Sequence, residues 1–462
     1  MNSEIGVIGL GVMGANLARN LAGRGYAVAG YDRNPEAGRK LAADHPEAGI
    51  AVAETPEAFV ASLERPRRIL LMVNAGPAVD AVIAQLDPLL EAGDVLADAG
   101  NSHFTDTDRR IGAERAWSFM GMGVSGGEEG ALKGPAIMPG GDHAAFETLR
   151  PYLEAMAARS ASGPCVAYCG AGSAGHFVKM VHNGIEYGDM QLIAETAFLL
   201  RRGLGLTAPG AAQVFEDWNR GELDSYLVEI TARILRTPDP QSSGFLVDAI
   251  LDQAGQKGTG AWTVLAAAEA GVPIPTIAAA VEARSLSSAR PRRLAAAGLF
   301  PAEAAALPGI SLDDLRDALY ASKIASYAQG FDLLRAASAS RGYGTELSEM
   351  ARIWTAGCII RARFLEDVRE AFLKPPVPDL LAFAPFFAGE LRRREPAWRR
   401  VVSAGVLAGL PIPGLSASLA WFDTLREGRG TASMIQAQRD FFGAHTYERF
   451  DRPGVAVHTQ WT

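Results

Sequence analysis

The chain has 462 residues, 48% of them apolar and 21% charged, and a formal net charge of −8. Such a length corresponds to about three domain-sized units, and this apolar content excludes a chain that stays disordered. The acidic balance excludes a general nucleic-acid binder, so any positive charge for an anionic substrate must be gathered locally by the fold.

In chain order, Ile5–Ile8, Ala27–Tyr31, Ile69–Val73, Val95–Asp98 and Ser118–Gly123 read as strands, with helical stretches Ala15–Arg24, Glu57–Leu63 and Ala78–Leu90 between them. Strands alternating with helices predict βαβ units and a mostly parallel sheet. Beyond about residue 175 the periodicity becomes helical, over Gly175–Arg202, Ser225–Arg236, Leu312–Ala339 and Glu346–Ala371. Proline- and glycine-rich breaks near 237–244, 271–275, 374–378 and 411–414 read as turns. The expected fold is an α/β dinucleotide-binding domain of the Rossmann type over 1–175, a large all-α domain over 176–434, and a short C-terminal tail over 435–462. A faint repeat runs through the helical part. Trp218-Asn-Arg-Gly221 with Tyr226-Leu227 is echoed by Trp354-Thr-Ala-Gly357 with Phe364-Leu365, 136 residues on from Trp218 to Trp354. This predicts a duplicated helical unit.

Cys165, Cys169 and Cys358 form neither a disulfide framework nor a zinc spacing, so no metal is expected. No apolar run reaches the roughly 18 residues of a membrane span. The Met-Asn-Ser-Glu start lacks the basic region of a signal peptide. A soluble, cytoplasmic protein is expected, with no membrane or nucleic-acid partner.

Gly9-Leu10-Gly11-Val12-Met13-Gly14 follows the first strand and opens a helix. In that context the glycines permit a tight turn, close approach of a pyrophosphate, and close helix–strand packing, with the phosphates on the helix N-terminus. Asp32, about 20 residues on, stands where an acid binds the adenosine ribose of NAD. Arg33 beside it could pair a 2′-phosphate, which favours NADP. Asn34 follows.

The segment His176-Phe-Val-Lys179-Met-Val-His182-Asn183-Gly-Ile-Glu186-Tyr187 is unusual. Lys179, His182, Asn183 and Glu186 fall on one helical face, and Lys179 and Glu186 are about 10.5 Å apart along the axis. The flanking residues Phe177, Val178, Met180, Val181, Ile185 and Met190 are apolar, so the polar stripe is expected to line a cavity. A desolvated lysine can act as a general base near neutral pH, and a buried glutamic acid can act as a general acid.

The stretch Gly172–Ile193 resembles decarboxylating 6-phosphogluconate dehydrogenase. The same resemblance is carried by Asp98-Ala-Gly-Asn101-Ser102, Gly123-Val-Ser125-Gly-Gly-Glu-Glu-Gly130, Gly255-Gln-Lys257-Gly-Thr-Gly260 and Ala437-Gln-Arg439-Asp-Phe-Phe-Gly-Ala-His445-Thr-Tyr-Glu448, so it spans nearly the whole chain. It implies hydride transfer from C3 of 6-phosphogluconate to NAD or NADP, loss of CO2, and protonation to ribulose 5-phosphate, a step of the pentose phosphate pathway. Lys179 would be base and then acid, and Glu186 the final acid. Asn101, Ser125, Gly126, Gly127, His182 and Asn183 would hold the sugar hydroxyls and carboxylate. Tyr187, Lys257, Arg284, Arg439 and His445 would hold the phosphate by charge-assisted bonds. The fingerprint loop, Asp32, Arg33, Asn34, Val73, Asn74, Ala75 and Asn101 would contact the coenzyme.

The resemblance also implies a homodimer whose C-terminal tails complete each other's sites through Arg439 and His445. The end at Thr462, soon after His458-Thr-Gln-Trp461, predicts that much of the family's longer tail is missing. Many NADP-using members carry Ala, Asn and Lys where this chain has Gly11, Asp32 and Asn74. These departures predict a preference for NAD or use of both coenzymes. A non-decarboxylating β-hydroxyacid dehydrogenase is the first alternative, disfavoured by the duplicated unit and the phosphate-binding residues. A catalytically idle dinucleotide-binding sensor is the second, disfavoured by retention of Lys179, Glu186, Lys257 and Arg284.

Overall fold

In the computed structural model, which describes residues 2–301 and 306–461, strands and helices alternate through the first third. They are β1 (Ile5–Ile8), α1 (Val12–Gly23), β2 (Val28–Tyr31), α2 (Pro35–Asp44), β3 (Ala51–Ala53), α3 (Pro56–Ala61), β4 (Arg68–Leu71), α4 (Pro77–Leu86), β5 (Val95–Asp98), α5 (Phe104–Ile111), β6 (Ser118–Ser125), α6 (Gly127–Lys133), β7 (Ala136–Gly140) and α7 (His143–Met156). β1, β2 and β5 are buried along their whole length. This is the burial of parallel strands covered on both faces, and it explains their unbroken apolar runs. The helices begin earlier than their apolar periodicity suggests. Pro56 and Pro77 occupy first turns, where proline suits the backbone, and Thr55 caps α3 by accepting the Ala58 N–H at 3.1 Å.

The seven strands lie in the order β3-β2-β1-β4-β5-β6-β7. Six are parallel, and β7 pairs antiparallel with β6. β3 and β7 were not among the expected strands. β3 has only three residues and no long apolar run, and β7 reads Ala-Ile-Met-Pro-Gly, with the turn-forming residues Pro139 and Gly140 inside the strand.

A small ribbon, β8 (Arg159–Ser160) with β9 (Gly163–Pro164), leads into helices: α8 (Ala174–Phe198), α9 (Ala208–Trp218), α10 (Tyr226–Arg236), α11 (Leu246–Ala249), α12 (Thr259–Ala270), α13 (Pro275–Ser288), α14 (Arg290–Leu299), α15 (Leu312–Arg341), α16 (Leu347–Ile353), α17 (Phe364–Leu373), α18 (Pro385–Leu407), α19 (Pro413–Arg426) and α20 (Ala432–Gly443). A hairpin, β10 (Tyr447–Arg449) and β11 (Arg452–Val457), follows. No helix among the described residues is long and apolar enough to cross a membrane.

One expected helix is corrected. The stretch Glu346–Ala371 is two helices, α16 and α17, because the chain between them leaves helical geometry at Gly357 (φ +68°). There the Gly357 carbonyl accepts the Ala136 N–H at 2.8 Å, so the break docks onto β7.

The two long helices, α8 and α15, are joined inside the core by the Lys323–Asp189 ion pair at 2.5 Å, with the Tyr327 hydroxyl donating to the same carboxylate at 3.0 Å. The repeated segments meet directly. The Tyr226 N–H donates to Arg361 O at 3.1 Å, and the Arg363 N–H donates to Asp224 O at 3.0 Å. Beside them the fully buried Arg394 on α18 pairs with Asp317 on α15 at 2.5 Å, with Glu390 at 2.8 Å and with Glu222, and its guanidinium lies over the Tyr320 ring at 4.0 Å. Arg394 thus ties the first repeat to the long helix and to α18. Arg394→Ala removes the fully buried cation from among these carboxylates and leaves them the more exposed Arg316 and Arg393. It is expected to cost about 2 kcal/mol of stability, read as an earlier midpoint in urea unfolding.

Candidate active site

The sheet's order reverses between β1 and β4, so a crevice opens beyond their C-terminal ends, the usual dinucleotide position in such sheets. The fingerprint lies there. A side chain at Gly14 would bring its Cβ within 1.8 Å of Gly9 O, whereas a Cβ at Gly11 would meet nothing within 4 Å. The loop is therefore tight where helix meets strand and open where a pyrophosphate would approach. Gly11 caps α1 without a side-chain bond, and no acid occupies the first turn, which leaves the N-terminal N–H groups and positive dipole end for an anion. The residues present fit a dinucleotide.

Leu10 is buried, Val12 is exposed and Met13 packs against the core beneath the loop. Asp32 accepts the Leu10 N–H at 2.7 Å and the Asn34 N–H at 2.8 Å, one on each carboxylate oxygen. It therefore braces the fingerprint loop from the end of β2. Asn34 caps α2 by accepting the Glu36 N–H at 3.2 Å. Arg33 is exposed and makes no ion pair among the described residues. Asn74 and Ala75 are exposed in the loop after β4, Val73 is half-buried there, and Asn101 is exposed in the loop after β5.

The stripe on α8 is where the sequence placed it, and it is buried. Lys179 is 7% exposed, His182 0% and Asn183 8%. The Glu186 side chain is 22% exposed. α8 packs directly on β6. A Cβ on Gly123 would lie 2.3 Å from Lys179 Cβ, so only glycine at that position lets the helix carry the amine this close to the sheet. Desolvation pulls the Lys179 pKa down from the usual lysine range, while Glu186 and Cys358 push it back up. Burial pushes the Glu186 carboxyl up, opposed by Lys179 and Arg284. Both shifts favour the uncharged forms, an amine and a carboxylic acid.

His182 sits between them. Burial, reinforced by Lys179, holds its pKa well below the ordinary value. The imidazole is therefore neutral, and its 3.9 Å contact with Glu186 is not an ion pair. Its Nε2 lies 3.4 Å from Ser125 Oγ at the end of β6, its Nδ1 lies 3.4 Å from Asn183 Oδ1, and its ring meets Trp354 edge-on at 5.4 Å. Gly126 and Gly127 follow Ser125 with positive φ and open α6, and a Cβ on Gly127 would meet nothing within 4 Å.

Of the basic residues, Arg284 on α13 is gathered in. Its guanidinium stacks 3.7 Å from the Tyr187 ring centre. Lys257 is exposed in the loop before α12. Arg439 and His445 are exposed on the tail, which bonds to itself. The buried Asp440 accepts from His458, Thr446, Thr459 and Trp461. No hydrogen bond or ion pair among the described residues links the segment 432–461 to α8 or to the sheet. Within this chain, then, the structure joins Lys179, His182, Asn183, Glu186, Ser125, Tyr187 and Arg284, and leaves Arg439 and His445 apart.

Residues 4–170 match the family profile described as the NAD binding domain of 6-phosphogluconate dehydrogenase, and residues 175–461 match the 6-phosphogluconate dehydrogenase C-terminal domain. The chain belongs to the 6-phosphogluconate dehydrogenase family. The decarboxylating enzyme of Synechococcus elongatus is 52% identical, across 99% of each chain. A chloroplastic decarboxylating enzyme of Arabidopsis thaliana is 48% identical, across 100% of this chain and 97% of its own. A Plasmodium falciparum 6-phosphogluconate dehydrogenase, solved apo, with its cofactor NADP+ and with its substrate 6-phosphogluconate, superposes with a TM-score of 0.96 at 40% identity, covering 99% of this chain and 100% of that one. The expectation that much of the tail is missing has no counterpart in these relatives, whose lengths the chain spans almost completely.

Sequence reasoning did not single out Gly123 or Trp354 as site residues of a 6-phosphogluconate dehydrogenase. Gly123 appeared only as part of a motif, and Trp354 only as part of the repeat. Gly123→Ala is expected to displace the Lys179 backbone and lower kcat by about 100-fold, the scale of an ångström-sized misplacement, with the far-ultraviolet circular dichroism unchanged.

Proposed function

We propose how this chain carries out its family's reaction, the oxidative decarboxylation of 6-phosphogluconate to ribulose 5-phosphate and CO2 with NAD or NADP. In this reading Lys179 acts first as base and then as acid at the C3 oxygen, and Glu186 gives the last proton to carbon. The observation that carries it is the pairing of a desolvated amine and a desolvated acid on one buried face of α8.

A bound nicotinamide ring supplies the hydride acceptor. Neutral Lys179 takes the C3 hydroxyl proton as the C3–H bond breaks, leaving a 3-keto acid and an ammonium. That ammonium then donates to the C3 carbonyl oxygen, which accepts the electron pair released as the C1–C2 bond breaks and CO2 departs. Protonated Glu186 adds its proton to the carbon that lost CO2, while Lys179 recovers the enol proton. The product is ribulose 5-phosphate, and the two side chains have exchanged protonation states. Ser125, Gly126, Gly127, Asn101, His182 and Asn183 would hold the hydroxyls and carboxylate. Tyr187, Lys257 and Arg284 would meet the phosphate. Neutral His182 would serve as a hydrogen-bonding group rather than as a charge.

The exposure of Arg439 and His445, and the tail's bonding only to itself, support a homodimer in which Arg439 and His445 of the partner subunit complete each phosphate site. Phe441 and Phe442, 61% and 73% exposed on the same helix, would be covered by that exchange. For the coenzyme, Asp32 beside the ribose position disfavours a 2′-phosphate, and Arg33 favours one, so use of both coenzymes with an NAD lean is the reading these residues support.

Lys179→Met is expected to abolish both coenzyme reduction and CO2 release, a loss of about 1,000-fold or more, as for removal of a general base. Near-normal turnover would reject the assignment. For the pH profile the signs follow from the roles. Activity needs Lys179 unprotonated and Glu186 protonated, so it falls toward low pH as the amine takes up a proton and toward high pH as the carboxyl loses one; the lowered lysine pKa and the raised glutamic acid pKa bring more of the protein into that form between them. Glu186→Gln is expected to lower kcat and remove the alkaline limb.

Mixing Lys179→Met subunits with Arg439→Ala subunits is expected to restore activity to hybrid dimers, because one site then has both groups intact. No recovery would place Arg439 in its own subunit's site. Asp32→Asn is expected to raise the NADP-to-NAD ratio of kcat/KM by about tenfold, as when a like-charge repulsion is removed. An unchanged ratio would show that Asp32 only braces the loop.

A further inference from the structure

Arg110, on α5, is 1% exposed although it carries a permanent charge. Its guanidinium reaches two loops that leave neighbouring strands. Toward the loop after β4, Nη2 donates to Gly76 O at 3.0 Å, and Nε and Nη2 donate to the two oxygens of Asp80 at 2.9 and 3.2 Å. Toward the loop after β5, Nη1 donates to Ser102 Oγ at 3.3 Å and lies 3.5 Å from Asp98 Oδ2. Asp98 is itself fully buried, and it accepts the Ser102 hydroxyl at 2.6 Å and the Gly100 N–H at 3.0 Å. The two loops also touch. A Cβ on Gly100 would lie 3.0 Å from Val73 O. A rigid planar fork with five donors spans both loops at once, which a lysine ammonium cannot do.

The second grip comes from the helix that carries Lys179. His176 is buried one turn before Lys179, with Nδ1 2.6 Å from Thr107 Oγ1 on α5. It packs beneath the same β5 end, facing Asp98 and Gly100. α5 thus holds the two loops through Arg110 and meets the Lys179 helix through Thr107.

We propose that Arg110 is a positioning residue for coenzyme binding. It fixes the Val73–Gly76 loop against the Ala99–Ser102 loop, so that Asn74, Ala75 and Asn101 face the nicotinamide end of the coenzyme at one separation. The inference rests on the reading that these loops contact the coenzyme. A purely structural arginine would change stability alone. A positioning arginine changes coenzyme affinity and kcat, and reaches the sugar-phosphate site only through Asn101, so the substrate loses less than the coenzyme.

The test uses the full-length protein with Arg110→Lys, which keeps the charge and loses the fork, and with Asp80→Ala, which frees one side of the guanidinium at a partly exposed position. Binding of NAD, NADP and 6-phosphogluconate is measured by titration calorimetry, beside kcat and both KM values. Arg110→Lys is expected to weaken both coenzymes and lower kcat by about tenfold each, the scale of one lost charge-assisted hydrogen bond, with a smaller loss of 6-phosphogluconate affinity, about threefold at most, through Asn101. Asp80→Ala is expected to move the same quantities in the same direction by a smaller factor. Coenzyme affinity and kcat within about twofold of the unaltered protein in both variants overturns the proposal. So does an equal loss for coenzyme and substrate. Where Arg110→Lys does not fold, the Asp80→Ala result decides by the same criterion. Failure of the unaltered protein to bind either coenzyme would instead sink the coenzyme reading beneath it.

Discussion

The desolvation of one face of α8 is the constraint on which the rest of the molecule turns. An amine, an imidazole and a carboxyl lie along about two helical turns, and each would be charged in water at some ordinary pH. Packing α8 against β6 on one side, and Trp354 against the imidazole on another, removes the solvent that would keep them so. Burial pulls the lysine pKa down and pushes the glutamic acid pKa up, so the cost of burying charge is eased by drawing both groups toward their uncharged forms. Cys358 belongs to the same environment, since burial pushes its thiol up to about 12 and keeps it uncharged beside Lys179. The Lys323–Asp189 pair behind the site shows the other solution to the same problem, two buried charges facing each other with a tyrosine hydroxyl added.

The duplicated helical unit supplies the walls for this arrangement and shows how the two copies diverge. They meet through reciprocal backbone bonds between 224–226 and 361–363, so each supports the other's turn. In the first copy Trp218 packs on Phe215, within its own unit, at 5.4 Å. In the second, Trp354 reaches across to His182 and donates its indole N–H toward Met138 Sδ at 3.4 Å on β7. A shared local pattern thus serves as core in one place and as a site wall in the other.

Much of the fold was legible because the signals are local. Fully buried parallel strands must be apolar on both faces, so Ile5–Ile8 and Val95–Asp98 announced themselves to the residue. β7 did not, because its proline and glycine read as a turn and its pairing with β6 is a long-range choice. The same division runs through the site. The spacing of Lys179, His182, Asn183 and Glu186 between apolar neighbours declares a buried polar stripe by helical geometry alone. Arg110 carries no such signal: in the sequence it is one of two adjacent arginines on a short polar helix, and the acceptors that make it singular come from two other strand ends.

What the sequence by itself determined is the alternation that makes the dinucleotide crevice, the glycines that open it, and the buried polar face of α8. These follow from backbone sterics, from unbroken apolar runs and from the period of 3.6 residues, which any short window contains. Only the tertiary structure decided which of those groups burial draws toward the uncharged form, which loops are held together, and that Arg439 and His445 make no bond to the α8 stripe. Desolvation and long-range contacts depend on what packs from elsewhere in the chain, and no local window holds that information.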